Sequence, residues 1–202
     1  GLSLRRLAMG RSLALPVFLE FAEGICRALG GLHGAGWLHN RLCPSNIVVN
    51  IGTRKLELID LGLATPIRES DRSQRLPDPG RIGLAYSSPE RTGRMDRIVD
   101  HRSDLYSLGV TFYEMLSGHL PFDLSDPVAL VHAHVARRPP ALSGKGIPDV
   151  LSRLVARLLE KNPDDRYADT GEFLNDLMRF WETVPASAQA RAAAATSLGA
   201  TA

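Results

Sequence analysis

The sequence predicts a mainly α fold, a helical lobe with one small β-hairpin, and three observations predict it. Apolar residues recur at three-and-four spacing in several separate stretches, the mark of helices with one buried face. Two short aliphatic runs, Ile47 to Asn50 and Leu56 to Ile59, flank a turn-like IGTRK and read as paired strands. Ser103 to Ser117 is apolar almost all round, and a helix without a polar face belongs at the centre of a core.

Each element follows in order. After a short Arg-containing opening, Leu4 to Arg11, the residues Phe18, Phe21, Ala22, Ile25, Leu29 and Leu32 line one helix face. Pro16 suits its first turn, where a missing N–H costs nothing, and Gly30, Gly31 and Gly34 are expected to close it. GLHGAG therefore reads as a helix-ending turn; it precedes no helix N-terminus and is in the wrong setting to cradle phosphate. The hairpin comes next, with Asp60 just past its second strand. Leu61 to Glu90 is rich in Arg, Ser, Asp, Pro and Gly and is expected to be an exposed loop. Beyond the central apolar helix, Ser125, Asp126 and Pro127 form a cap-like start to a helix over Val128 to Arg137. Val150, Leu151, Leu154, Val155, Leu158 and Leu159 mark another, and Phe173, Leu174, Leu177, Met178 and Trp181 the last, with Phe180 and Trp181 as core anchors. Residues 1–183 are expected to form one domain, and 184–202, which collapse to Ala, Ser, Thr and Gly, a linker or tail.

Composition narrows the function. A chain of 202 residues is long enough for one sizeable core. The net charge of +2 is small and the arginines are interspersed with acids, so nucleic acid is not implied as a partner. Cys26 and Cys43 are the only cysteines and form neither a CxxC pair nor a Cys/His cluster, which fits a reduced, cytoplasmic compartment. No apolar run reaches the roughly 18 residues of a membrane span. His33, His119, His132 and His134 lack a carboxylate or Cys partner at ligand spacing and are expected to be packing or surface residues, with His132 and His134 on different helix faces.

The stretch WLHNRLCPSNIVVN, followed across the hairpin by LIDLGLA and then by AYSSPE, DHRSDLYSLG and KNPDDRYAD, resembles the protein kinase family, serine/threonine branch. The likeness runs from about Leu4 to Trp181 and implies a protein-kinase-like C-terminal lobe, with the N-terminal lobe absent: no glycine-rich loop, strand Lys or paired helix Glu stands before it. The run from GRIGLAYSSPE through LPFDLSDPVAL is most similar to a bacterial subgroup whose kinase-like domain opens large proteins with ATPase and sensor histidine kinase modules. By position, the resemblance implies that Asn46 and Asp60 are remnants of a nucleotide-binding magnesium site. It also implies that His39 anchors the turn, that Asp104 receives backbone N–H groups from it, and that Glu90 pairs with Arg166.

The departures fall on one task. In active members the loop Asp, the Lys after it and an activation-segment Thr surround the substrate hydroxyl; here those positions hold Arg41, Cys43 and Gly83. The expectation is a catalytically inactive pseudokinase lobe that serves regulation or protein contact within a bacterial signalling chain, with protein partners or adjacent domains of the same chain. No cofactor is expected, and MgATP only if an N-terminal lobe lies upstream. Arg41 is expected either to pair with Asp60 and fill the metal's place or to point into solvent. Ser70 and Ser73, among arginines, are read as solvated loop serines rather than phosphate acceptors. Two other readings stay open: a fragment of an active kinase with an unusual base, and a remnant without a selected role.

Overall fold

The computed structural model describes residues 1–50, 52–53, 55–67, 83–95, 97–122, 125–142 and 146–185. Strand β1 (Leu2–Ser3) runs straight into helix α1 (Leu4–Ala8), which ends at Met9 in the left-handed region. Helix α2 (Leu15–Gly34) carries Pro16 in its first turn and buries Phe18, Leu19, Ala22, Ile25, Cys26 and Leu29. Gly30 and Gly31, expected to close this helix, lie inside it. The physical reason at Gly30 is close approach: a Cβ there would come 2.7 Å from Thr170 Oγ1. The chain turns at Ala35 and Gly36, where φ is +85°.

The hairpin is formed by β3 (Ile47–Val49) and β4 (Leu56–Leu58), antiparallel with Ile47 opposite Leu58 and Val49 opposite Leu56. Two pairings have no counterpart in the sequence reading. β1 adds to the other edge of β3, and β2 (Trp37–Leu38) pairs with β5 (Thr65–Pro66). Strands of two residues are too short to show a period.

The expectation that Leu61 to Glu90 is exposed fails at its C-terminal end, where Ala85, Tyr86, Ser87, Ser88 and Glu90 are buried. Their polar groups are satisfied internally: Ser88 Oγ lies 2.7 Å from Ser103 Oγ, and Ser87 Oγ donates to the Gly83 carbonyl. Residues 68–82, with Ser70 and Ser73, lie outside the described residues.

Helix α3 (His101–Ser117) is the centre of the core, as its all-apolar surface requires. Asp100 caps it by accepting from Arg102 N, and Gly118 ends it at a φ of +81°. Helix α4 (Pro127–Ala136) is capped by Asp126, whose side chain accepts from Val128 N. Helix α5 (Asp149–Leu158) packs on α3, and α6 (Thr170–Thr183), capped by Asp169, packs on α2 and α5. Phe180 is buried and Trp181 packs against the core. The expected tail lies, from residue 186 onward, outside the described residues. Among the described residues no helix is long and apolar enough to cross a membrane.

Gly109 sets the distance between α3 and α5, since a Cβ there would meet Leu158 Cβ at 2.8 Å. Gly109→Ala is expected to destabilise the lobe by about 1–3 kcal/mol through this overpacking, read as a lowered midpoint in urea; an unchanged midpoint would show that the two helices can separate freely.

Candidate functional site

The turn between β2 and β3 is built around a side chain from α3. Asp104 is buried and accepts three hydrogen bonds, from His39 N at 2.8 Å, Asn40 N at 2.9 Å and His33 Nε2 at 2.9 Å. Burial pushes its carboxyl upward, but the His33 bond and the His39 N–H outweigh it and hold Asp104 below its ordinary value. His33, which has no carboxylate at ligand spacing in the sequence, gains one in the fold: residues far apart in sequence meet because α2 packs on α3. His39 is itself buried, which lowers its pKa, and its Nδ1 accepts from Arg41 N at 3.2 Å. His132 is exposed and His134 buried, on the different faces expected of them.

The hairpin returns the chain so that Asp60 faces Asn46. Ile59 N donates to the Asn46 carbonyl at 2.9 Å, and Asn46 Nδ2 reaches Asp60 Oδ2 at 3.2 Å and the Arg41 carbonyl at 2.9 Å. Arg41 Nη1 lies 3.1 Å from the same Asp60 Oδ2, so its guanidinium pairs with Asp60 rather than standing free in solvent. Both side chains are about two-fifths exposed, at 43% and 39%. Asp60 itself is in the left-handed region with φ 64°, a conformation that Asp and Asn tolerate better than most residues. Cys43 is buried, and burial raises its thiol pKa, so it is a packing residue rather than a reactive thiolate. Gly83 contributes only backbone, its carbonyl accepting from Tyr86 N at 3.2 Å. Among the described residues no group of three or more His, Cys, Asp or Glu could hold a metal ion.

Behind this site, Glu90 and Arg166 form a bidentate pair, with Nη1 to Oε1 at 2.7 Å and Nη2 to Oε2 at 2.9 Å. Both side chains are essentially inaccessible, at 1% and 0%. Arg166 also donates to the carbonyls of Glu160, Lys161 and Arg102 at 2.8, 3.2 and 2.8 Å. One guanidinium thus ties the turn at Pro89–Thr92 to α3 and to the chain before α6.

The sequence profile of the protein kinase domain matches residues 5–177. The chain belongs to the protein kinase family. It is 36% identical over 173 residues to the serine/threonine-protein kinase PknB of Mycobacterium tuberculosis, an alignment covering 84% of this chain and 27% of that protein. A probable serine/threonine-protein kinase of Clostridium acetobutylicum is 33% identical over 162 residues, 79% of this chain and 24% of the relative. The hybrid signal transduction histidine kinase G of Dictyostelium discoideum is 47% identical over 109 residues, 52% of this chain and 3% of that protein. The chain therefore spans about a quarter or less of each of these relatives' length.

Within this kinase-family lobe, three contributors escaped the sequence reading. Asn40, in the left-handed region at φ 65°, donates Nδ2 to the Leu63 carbonyl at 2.7 Å and to Thr65 Oγ1 at 2.8 Å. Arg91, buried, with its pKa lowered by burial, donates Nη1 to Asn40 Oδ1. Together they join the chain just after Asp60 to the turn after Pro89. Arg5 donates Nε to Ser45 Oγ at 2.8 Å and Nη2 to Tyr86 OH at 2.6 Å, and Tyr86 OH donates to Glu114. An arginine directly after Glu90 and one in the opening LRRLA were the only sequence signals, and neither differs from a surface arginine without the fold.

Proposed function

We propose that this chain is a pseudokinase lobe, noncatalytic, acting as a regulatory or protein-contact module of a larger signalling protein. The single observation behind the reading is the sign of charge at residue 41. A guanidinium stands where phosphoryl transfer in this family uses a carboxylate to orient the substrate hydroxyl, and that guanidinium is paired with Asp60 at 3.1 Å. Loss of a positioned base typically costs about 10²- to 10⁴-fold in rate. The neighbouring positions compound the loss, since Cys43 offers a buried neutral thiol and Gly83 no side chain.

The groups that keep the lobe folded point the same way. Asp104, Glu90 and Arg166 retain their partners, as expected of a domain held for its shape. The partner class we propose is a protein surface or an adjacent domain of the same chain, in a multidomain context like that of the hybrid histidine kinase relative. Two free, buried cysteines fit a reducing, cytoplasmic compartment.

A second reading, a fragment of an active serine/threonine kinase, is favoured by the 36% identity to PknB. Incubation of the intact chain with labelled ATP, Mg²⁺ or Mn²⁺ and a mixed protein substrate discriminates the two. The expected result is no incorporation above that of Asp60→Ala. Transfer that Asp60→Ala abolishes would overturn the proposal. Millimolar MgATP is likewise expected to leave the melting temperature of the chain unchanged, and a rise of several degrees would count against the absence of nucleotide binding.

A further inference from the structure

The protein kinase fold implies a divalent cation on the Asn and Asp at positions 46 and 60, and the side chains present do not fit one. A magnesium ion needs oxygen ligands at about 2.0–2.1 Å in near-octahedral order. Asp60 Oδ2 already accepts from Asn46 Nδ2 at 3.2 Å and is ion-paired with Arg41 Nη1 at 3.1 Å. Asn46 directs its nitrogen, not its oxygen, toward Asp60, and the same nitrogen donates to the Arg41 carbonyl at 2.9 Å. A divalent ion would have to expel the guanidinium, turn the carboxamide over and lie beside a positive charge.

We propose that Arg41 is the resident cation of this site: its guanidinium takes the electrostatic place of the metal on Asp60 and closes the Asn46–Asp60 pair to divalent ions. The inference rests on the pseudokinase reading and deepens it, because it gives the substituted residue a task instead of a mere loss. Asp60, in the left-handed region, opens the segment to Thr65, and Arg41 supplies the positive charge beside its carboxylate. The consequence is a lobe whose folded state is indifferent to magnesium concentration. A second consequence is that removing one side chain uncovers a carboxylate that can take a divalent ion.

The test is Mn²⁺ binding to the full chain, followed by electron paramagnetic resonance of the free ion, with wild type, Arg41→Ala, Arg41→Gln, Arg41→Lys and the double variant Arg41→Ala with Asp60→Asn. Arg41→Ala and Arg41→Gln are expected to bind Mn²⁺ at least tenfold more tightly than wild type. Arg41→Lys is expected to show no gain, and the double variant to lose it. The two neutral variants guard against one of them failing to fold, which thermal melting reports. Wild type binding Mn²⁺ as tightly as Arg41→Ala, or a gain that persists without Asp60, overturns the inference. Mn²⁺ binding by wild type with no phosphate transfer would sink this inference alone, whereas phosphate transfer by wild type would sink the pseudokinase reading itself.

Discussion

Arg166→Ala is expected to destabilise the lobe by about 3–5 kcal/mol, the range for removing one partner of a buried ion pair and stranding the other. The size follows from burial and from the number of bonds lost. Glu90 is 1% exposed and takes both of its close contacts, at 2.7 and 2.9 Å, from this guanidinium. Three backbone carbonyls, of Arg102, Glu160 and Lys161, lose a donor at the same time. For a domain near this size, about 1 kcal/mol shifts the melting temperature by about 2–4 °C, so a drop on the order of 10 °C is expected. Replacing both partners together, Glu90→Leu with Arg166→Met, is expected to cost much less than the two single changes summed, because no charge is then left in the core. A single-variant loss under about 1 kcal/mol would show that water reaches Glu90 and that the pair is not the strut described above.

Stability is expected to fall by about 3 kcal/mol between pH 6.5 and pH 4, and His134 is the main cause. The imidazole is fully buried between α3 and α4, with Nδ1 3.0 Å from Tyr106 OH and the Phe122 ring centroid 5.2 Å away. Burial, and then the positive charge of Lys161, lower its pKa from 6.5 to about 3. The folded value lies below the unfolded one, so between the two the unfolded chain binds the extra proton. The contribution is therefore complete above pH 6.5 and is lost as pH falls toward 3, at about 1.4 kcal/mol per unit. His39, lowered by burial, acts in the same direction. Asp104 and Asp100 are held below their ordinary value of 3.8 and weaken the fold only at still lower pH, so they do not explain a slope above pH 4. Urea midpoints at pH 7, 5.5 and 4 measure this slope. His134→Gln, which keeps a polar group beside Tyr106 and cannot titrate, should flatten it; an unchanged slope would assign the acid sensitivity elsewhere.

The helices and the hairpin were legible because their signals are periodic and local. Phe18 to Leu32 shows a face at each turn, and the apolar surface of Ser103 to Ser117 announces the central helix before any contact is known. The buried stretch from Ala85 to Glu90 reads as exposed because Ser and Glu lower its local hydropathy; their partners, Ser103 and Arg166, lie at other places in the chain. The left-handed residues Asn40 and Asp60 carry only a weak signal, since neither is glycine although Asn and Asp adopt that conformation more readily than most residues.

What the amino-acid order determined by itself is the kinase-like lobe, whose turn, hairpin and buried helix are recognisable in sequence, and the residue types, Arg41, Cys43 and Gly83, on which the proposed function rests. What only the tertiary structure decided is where the charges go. Arg41 turns to Asp60, Arg91 to Asn40, Arg5 to Tyr86, and His33 to Asp104. An arginine has no periodicity and a long, flexible stem, so its partner is chosen by whichever carboxylate, carbonyl or hydroxyl the packing of distant elements brings within about 3 Å of its tip.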